Sequence, residues 1–381
     1  MSRLDEAEIA VVGAGASGLS AAACLVRRGR RPVILHRDER VGATWRGRYD
    51  RLHLHTTRRF SGLPYHRLPR SYGRFVSKDD YARYLEEYAG RLALDVRGGL
   101  DVSAISPAGN GKVGWALETS GGRWTCDAVI VATGRHCRKV LPNLPGTESF
   151  GGAILHSADY RSGLELAGMS VLVVGLGNSG AEIAADLVEQ GADRVEVAVR
   201  TPPPIVSREI AGVPVQVVGI LLDPFPARMV DRAGARVRRL AVGDLSAYGL
   251  GPAAWGPFAA KRPAVIDVGF LDVLKAGRVR IRPDVSGLRP GGAAFSDGSE
   301  GDFDAVVAAT GFGTGLEELV PLPGLLDKQG LPRDGSGRPT GYPGLFFAGF
   351  TETVRGQLYE ANREAGRLAG AVDAFLARAP R

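Results

Sequence analysis

Two glycine-rich turns, each placed between an apolar run and a helical pattern, most constrain what this chain can fold into. The first follows the apolar run Glu8–Val12 and reads Gly13-Ala14-Gly15-Ala16-Ser17-Gly18. The second lies in mid-chain, after Val171–Val174, and reads Gly175-Leu176-Gly177-Asn178-Ser179-Gly180. In this spacing the first glycine permits a tight turn and the second lets a pyrophosphate approach. The third lets helix and strand pack closely.

Each unit continues with a helical pattern and a second apolar run, which is the strand–turn–helix–strand order of a dinucleotide-binding fold. A pyrophosphate then lies on the positive start of the helix. The sequence therefore predicts an α/β fold with two Rossmann-like domains and two bound dinucleotides. Such a pair favours an enzyme that passes electrons between its cofactors. A duplicated fold with one inactive site is the alternative.

The residues that end the second strand of each unit select the ribose partner. In the second unit this place holds Arg200, followed by Thr201, with Arg208 further on. A guanidinium matches a 2′-phosphate, so NADPH is preferred over NADH, unless Arg200 is merely a solvated surface residue. In the first unit the place holds His36, where a carboxylate usually binds the ribose. An imidazole can bind a ribose hydroxyl, and its titration near neutral pH would make FAD binding weaker or sensitive to pH.

Between the two turns, the segment from Phe150 to Tyr160 fits the pattern FxGxxxHxxxY, with Gly152 and His156 at its other fixed positions. This pattern resembles the identifying motif of the class B flavin monooxygenases. The segment Gly42–Trp45 resembles the GGxW segment of that family, with one glycine replaced by alanine. Across nearly the whole chain the sequence is most similar to the YUCCA branch, which converts indole-3-pyruvate to indole-3-acetate.

The resemblance implies a mechanism with FAD and NADPH as cofactors. NADPH would reduce FAD, O2 would form a C4a-(hydro)peroxyflavin, and one oxygen atom would enter a small organic substrate. Decarboxylative oxygenation of a 2-oxo acid and oxygenation at nitrogen or sulfur both stay open. One alternative is an NADPH oxidase or flavin reductase without oxygen transfer. The other is a catalytically silent nucleotide-binding protein, which the histidine at position 36 brings into consideration.

Motifs and resemblance together assign candidate residues to each cofactor. The FAD candidates are Gly13, Gly15, Ser17, Gly18, His36, Thr44, Trp45, His55, Ala132, Thr133, Gly134, Gln357 and Leu358. The candidates for NADPH and for contacts between the domains are Gly175, Gly177, Asn178, Ser179, Gly180, Arg200, Thr201, Arg208, Ala309, Thr310 and Gly311. The resemblance makes His55 a flavin-facing catalytic candidate. The alternative is a packed histidine in a loop.

The FAD domain is predicted to be discontinuous, with residues 1–164 and 301–381, and the NADPH domain, residues 165–300, is inserted into it. Prolines and glycines mark the two crossings between these segments. Residues 219–262, rich in proline, glycine and apolar side chains, are predicted to form either a substrate entrance, an oligomer surface or ordinary packing. The oligomeric state stays open, with a homodimer as one alternative.

Composition excludes several other classes of protein. The net charge of +7 comes from dispersed residues without a long basic run, and no nucleic-acid-binding motif accompanies it. The 3 cysteines form no CxxC pair, which argues against a disulfide scaffold, a redox dithiol or a metal site. No stretch resembles a signal peptide or a membrane span, so a cytoplasmic protein that binds no membrane is expected.

Overall fold

The computed structural model describes residues 4–109 and 114–378. Within these residues, the first part of the chain contains nine strands and four α-helices. The strands are β1 (Leu4–Val12), β2 (Pro32–Leu35), β3 (His53–Thr57), β4 (Phe75–Ser77), β5 (Asp95–Arg97), β6 (Val102–Pro107), β7 (Trp115–Thr119), β8 (Gly122–Val131) and β9 (Arg138–Lys139). The helices are α1 (Ala16–Val26), α2 (Ala43–Arg46), α3 (Arg58–Ser61) and α4 (Lys78–Arg91).

The middle and last parts of the chain complete both sheets. The middle strands are β10 (Ala153–His156), β11 (Ser170–Val174), β12 (Arg194–Ala198), β13 (Ile205–Ser207), β14 (Glu209–Ile210), β15 (Val213–Pro214), β16 (Val265–Asp267), β17 (Val279–Arg282), β18 (Val285–Arg289), β19 (Gly292–Phe295), β20 (Glu300–Asp302) and β21 (Ala305–Ala308). The middle helices are α5 (Asn178–Glu189), α6 (Val215–Leu222), α7 (Ala227–Val242) and α8 (Phe270–Lys275). The last elements are β22 (Phe312–Gly313), α9 (Leu316–Leu319), β23 (Leu345–Phe347) and α10 (Gln357–Leu376).

The first sheet has 7 strands in the order β5-β2-β1-β8-β7-β6, and β23 also pairs with β8. Its part around β1 is parallel, whereas β6, β7 and the start of β8 pair antiparallel. The side chains of Ile9 and Val11 pack with α1 and α10, while Ala10 and Val12 pack with the segment around α9. Covering on both faces explains why β1 ends in an unbroken apolar run.

The second sheet has 5 strands in the order β10-β21-β11-β12-β17 and is parallel throughout. Val171 and Val173 of β11 face α5 and α8, and the alternate residues Leu172 and Val174 face the small antiparallel sheet β18-β19-β20. Each sheet therefore carries a glycine turn followed by a helix after its central apolar strand. The predicted α/β fold with two Rossmann-like units is confirmed.

The two chain crossings between the sheets lie side by side. The short strands β9 and β22 pair antiparallel, with Lys139 opposite Phe312 and Arg138 opposite Gly313. Sheet pairing differs from the predicted domain limits at β10 and β21, which those limits place in the FAD domain although both strands pair within the second sheet. We therefore propose domain limits near residues 150 and 309, between this ribbon and the strands β10 and β21. The outer limits at residues 1 and 381 lie outside the described residues.

Helices α6 and α7 lie outside both sheets and form one wall of a cleft between the two sheets. Helix α7 packs against β13, and α6 packs against β3 of the first part of the chain. Together they occupy much of residues 219–262, the segment that is rich in proline, glycine and apolar side chains. None of the helices in the described residues combines the length and hydropathy that a bilayer-spanning helix needs.

Candidate active site

The first glycine of each turn has the backbone conformation that only glycine adopts easily. Gly13 has φ +109° and Gly175 has φ +101°. A Cβ atom on Gly13 would lie 2.7 Å from the carbonyl oxygen of Ala132, and one on Gly175 would lie 2.8 Å from that of Ala309. The residues after β8 and after β21 therefore support the two turns in the same way.

In each turn the third glycine is closely packed, whereas the second faces open space. A Cβ on Gly18 or Gly180 would lie 2.0 Å or 2.1 Å from the carbonyl oxygen of the first glycine of its turn. Around Gly15 and Gly177, in contrast, no atom of the described residues lies within 4 Å of a Cβ position. No side chain among the described residues caps α1 or α5, so the N–H groups at the start of both helices stay available. This open cradle with free donors fits a pyrophosphate at each turn.

Two buried polar atoms near the first turn lack partners among the described residues, namely Thr133 Oγ1 and His36 Nε2. His36 is buried directly after β2, and its Nδ1 lies 3.5 Å from the backbone nitrogen of Ala14. Burial lowers the pKa of His36 below its ordinary value, against the opposing effect of Asp38. A neutral His36 whose Nδ1 faces the Ala14 N–H carries its proton on Nε2, which fits the oxygen of a ribose hydroxyl.

Beyond the second turn, Arg200 and Thr201 follow β12 and are exposed. Arg208 lies elsewhere: its guanidinium is 3.7 Å from the centre of the Phe75 ring, and its Nη2 donates to the carbonyl of Leu54 at 2.7 Å. This side chain therefore joins the two parts of the molecule. The assignment of Arg208 to the 2′-phosphate stays a prediction, and the exposed Arg200 is the better placed of the two.

The segment that matched FxGxxxHxxxY is a structural connection between the domains. His156 Nδ1 accepts a hydrogen bond from the Ala158 N–H at 3.1 Å, so its Nε2 carries the proton and donates to the carbonyl of Gly311 at 3.0 Å. Tyr160 donates to Asp186 of α5 at 2.6 Å. At Gly152, a Cβ would lie 2.2 Å from a backbone oxygen. These contacts hold the crossing against α5 and against the residues that follow β21.

A cavity of about 760 Å³ lies where the two domains and α6–α7 meet, a volume in the usual range for ligand sites. Asn178, the first residue of α5, and Gln357, the first residue of α10, both line it. The starts of these two helices thus face a common space. Gln357 is oriented by a 2.7 Å hydrogen bond to the carbonyl of Gly349, and Asn178 accepts from the Ile266 N–H at 2.8 Å.

His55 also lines this cavity and is paired with a carboxylate from the other domain. Its Nε2 lies 2.8 Å from Glu182 Oε1, and Glu182, on α5, is almost completely buried. The Nδ1 atom of His55 is buried without a partner among the described residues. Burial and then the Glu182 carboxylate raise the pKa of the neighbouring Tyr49 well above its ordinary value. Glu182 therefore lies at ion-pair distance from His55 without a hydrogen bond to it, and Tyr49 stays a neutral phenol beside the pair.

The other candidates from the sequence lie around the same cleft. Trp45 packs edge-on against Tyr81, with ring centres 4.9 Å apart, and the neighbouring Thr44 is exposed. Leu358 is buried under the start of α10. Thr310 donates to the carbonyl of Val140, which ties the two crossings together. The packing of Trp45 agrees with a supporting role.

Arg135, His136 and Gln216 are among the polar cavity residues that sequence reasoning missed. Arg135 forms an ion pair with Glu352 at 3.0 Å, and beside it burial, with a smaller contribution from Arg48, lowers the pKa of His136 to about 4. Gln216 accepts from the Thr57 N–H at 2.8 Å and donates to the carbonyl of Arg355 at 2.9 Å. No local pattern marks Arg135, His136 or Gln216, because their partners lie far away in the sequence.

Comparison with known proteins identifies the family to which this chain is similar. The profile of the family described as FMO-like, flavin-binding monooxygenase-like, matches residues 6–317. Indole-3-pyruvate monooxygenase YUCCA1 of Oryza sativa subsp. japonica is 36% identical over 358 residues, which cover 90% of this chain and 86% of that protein. A probable indole-3-pyruvate monooxygenase YUCCA1 of Arabidopsis thaliana is 34% identical, with 95% and 88% of the two chains covered.

Among solved structures, a double mutant of a flavin monooxygenase from Stenotrophomonas maltophilia superposes with a TM-score of 0.77 at 28% identity. The match covers 97% of this chain and 99% of that one. An oxidized steroid monooxygenase bound to NADP also has a TM-score of 0.77, with 98% and 86% of the two chains covered. Its 19% identity makes this a likeness of fold alone. The family match, the curated relatives and the two glycine turns agree, and the chain belongs to the flavin-binding monooxygenase-like family, as a flavin-dependent monooxygenase of the FMO and YUCCA type.

Proposed function

We propose that this enzyme binds FAD at the Gly13–Gly18 turn and NADPH at the Gly175–Gly180 turn, and that it transfers one oxygen atom from O2 to a 2-oxo acid such as indole-3-pyruvate. One observation carries the proposal: two uncapped helix starts, each beside an open glycine, belong to domains that share one cavity. The substrate class is supported by the indole-3-pyruvate monooxygenases that share about a third of their residues with this chain.

On the FAD side, Gly15 leaves room for the pyrophosphate, and the N–H groups at the start of α1 donate to it. His36 Nε2 and Thr133 Oγ1 are available as partners because neither forms a hydrogen bond within the described residues, although Asp38 Oδ2 lies 3.6 Å from His36 Nε2. Helix α10 begins at Gln357, which lines the cavity, and no side chain among the described residues caps it, so its first N–H groups are free. Such a helix start favours negative charge on a reduced flavin. Ser17, Thr44, Trp45, Ala132, Gly134 and Leu358 complete the proposed FAD site.

On the NADPH side, Gly177 leaves the corresponding space for the second pyrophosphate, and Arg200 and Thr201 follow β12 where a 2′-phosphate would lie. Asn178 and Ser179 begin the helix that would support the phosphates. His55 would meet the flavin: its Nε2 lies 2.8 Å from Glu182 Oε1, and its Nδ1 has no partner among the described residues. A carboxylate on the NADPH-binding helix would thus lie beside a histidine on the FAD side.

When bound, the flavin accepts a hydride from NADPH and activates O2, which is chemistry that side chains do not supply. The residues of the chain would position the two cofactors, exclude water and hold the substrate. The balanced reaction converts the 2-oxo acid, O2, NADPH and a proton to the carboxylic acid shortened by one carbon, CO2, NADP+ and water. No nucleophilic side chain is required.

The test is a turnover of FAD-loaded enzyme with NADPH and indole-3-pyruvate under 18O2, with the products analysed by mass spectrometry. We expect indole-3-acetate with one labelled oxygen atom, formed in proportion to the NADPH consumed. Consumption of NADPH that yields hydrogen peroxide and no labelled acid would contradict the proposal and would favour an NADPH oxidase.

Arg200→Ala is expected to raise the KM for NADPH by roughly 10- to 100-fold, because a charge-assisted hydrogen bond to the 2′-phosphate is lost. The KM for NADH should change little, since NADH has no phosphate there. The steady-state rate of oxidation of each nucleotide, measured over a range of nucleotide concentrations, gives both KM values. Equal effects on the two nucleotides would remove Arg200 from the phosphate site.

A further inference from the structure

The cavity contains few charged side chains, and most of them are already engaged. Arg135 is paired with Glu352 at 3.0 Å and donates to the carbonyl of Phe350 at 3.2 Å. Asp231, on α7, accepts from the backbone N–H groups of Phe258 and Ala259 at 3.0 Å and 2.8 Å. These groups hold the walls of the cavity together and are not free to bind a ligand.

Arg238 is different. It lies on α7, lines the cavity and is half-buried. Within the described residues no carboxylate lies at ion-pair distance from it, and burial lowers its pKa despite the more distant charge of Asp231. Removing an arginine from water without a partner costs free energy, so a half-buried unpaired guanidinium is a ready site for an anion.

The surroundings of Arg238 indicate what kind of anion would enter. The cavity is lined mainly by apolar side chains of α6, of α7 and of the turn between them, among them Val218, Leu222, Phe225, Met229 and Val237. Such walls suit a hydrocarbon or aromatic group, whereas a phosphate would be left without polar partners along them. The apolar walls therefore favour a hydrocarbon or aromatic group, and the position of Arg238 favours a negative charge.

We propose that Arg238 binds the carboxylate of the substrate and so makes the enzyme selective for apolar carboxylic acids over neutral analogues. This inference rests on the proposed function, because it names the residue that would recognise the acid group of a 2-oxo acid. A planar guanidinium presents two parallel N–H donors, which match the two oxygens of a carboxylate. The phosphates of NADPH are the competing source of the same anionic chemistry.

The test measures binding without turnover. FAD-loaded enzyme, saturated with NADP+, is titrated by calorimetry with indole-3-acetate and, separately, with the neutral indole-3-acetamide. We expect the wild type to bind the acid about 10- to 100-fold more tightly than the amide. Arg238→Gln should remove this difference by weakening the acid alone. Arg238→Lys, which keeps the charge without the planar fork, should retain part of it.

The matched control is Arg236→Gln, which removes an exposed arginine two residues away on the same helix and so makes the same change in net charge. It should leave both affinities unchanged. Unchanged binding of the amide to Arg238→Gln would also show that the cavity remains folded. If Arg238→Gln instead keeps the preference for the acid, or weakens the binding of NADP+ and not that of the acid, the proposal is wrong.

Failure of this inference and failure of the proposed function give different results. A wild type that binds acid and amide equally would overturn the role of Arg238, whatever the isotope experiment yields. A clear preference for the acid that depends on Arg238, together with no labelled product from indole-3-pyruvate, would support the role of Arg238 and contradict the proposed substrate.

Discussion

Gly177→Asp is expected to slow the reduction of the flavin by NADPH on the order of 100-fold or more, since bringing like charges together costs several kcal/mol. Gly177 has φ −88°, a conformation open to any residue, and no atom of the described residues lies within 4 Å of its Cβ position. The chain should therefore fold normally. The new carboxylate would occupy the space in front of α5, where we place the pyrophosphate.

Stopped-flow absorbance at the flavin band measures this rate, and two controls separate the cause. Dithionite should reduce the flavin of Gly177→Asp as fast as that of the wild type, because this reductant needs no nucleotide site. Gly177→Ala, with a side chain too small to reach the phosphate, should have a much weaker effect. Normal reduction of Gly177→Asp by NADPH would mean that the second turn does not bind the nucleotide.

Gly180→Ala is expected to lower the free energy of unfolding by roughly 1–3 kcal/mol, the usual cost of inserting an atom where there is no room. The added Cβ would lie 2.1 Å from the carbonyl oxygen of Gly175 and 3.3 Å from the Cβ of Ala309. A backbone oxygen cannot move aside as a flexible side chain does. The turn and α5 would therefore have to separate. Denaturant unfolding of the FAD-loaded protein measures the change.

The control is the same substitution at Gly366, which is exposed within α10 and has no described atom within 4 Å of its Cβ position. There the change should raise the free energy of unfolding by about 1 kcal/mol, because alanine favours a helix more than glycine does. The two variants should thus differ in sign. A stabilising effect of Gly180→Ala would show that strand and helix are not as closely packed as the structure has them.

Some features could be predicted because their determinants lie close together in the chain. The contacts that require glycine at positions 18 and 180 lie within the turn itself, at the carbonyl oxygens of Gly13 and Gly175, whereas Gly13 and Gly175 are also confined by the distant Ala132 and Ala309. The helix starts after Gly15 and Gly177 follow in the same way. A similar argument placed Arg200 directly after β12.

Other features depend on residues far apart in the chain. Arg208 comes directly after β13, in the same stretch of sequence as Arg200, yet it turns towards Leu54 and Phe75 of the first part of the chain. The strands β10 and β21 pair across about 150 residues, which no local pattern records and on which the domain limits proposed above rest. Both contacts depend on which distant segments pack together in three dimensions, and residue spacing does not record this.

The sequence by itself determined the two phosphate-binding turns, the α/β fold built on them and the family, because steric limits on a backbone turn operate over a few residues. Only the tertiary structure decided the pairing of His55 with Glu182, the engagement of Arg135 and Asp231, and the cavity in which Arg238 has no partner among the described residues. The cavity lies where three separate segments of the chain meet. Its charge balance therefore depends on which side chains packing brings together, and this cannot be inferred from residue spacing.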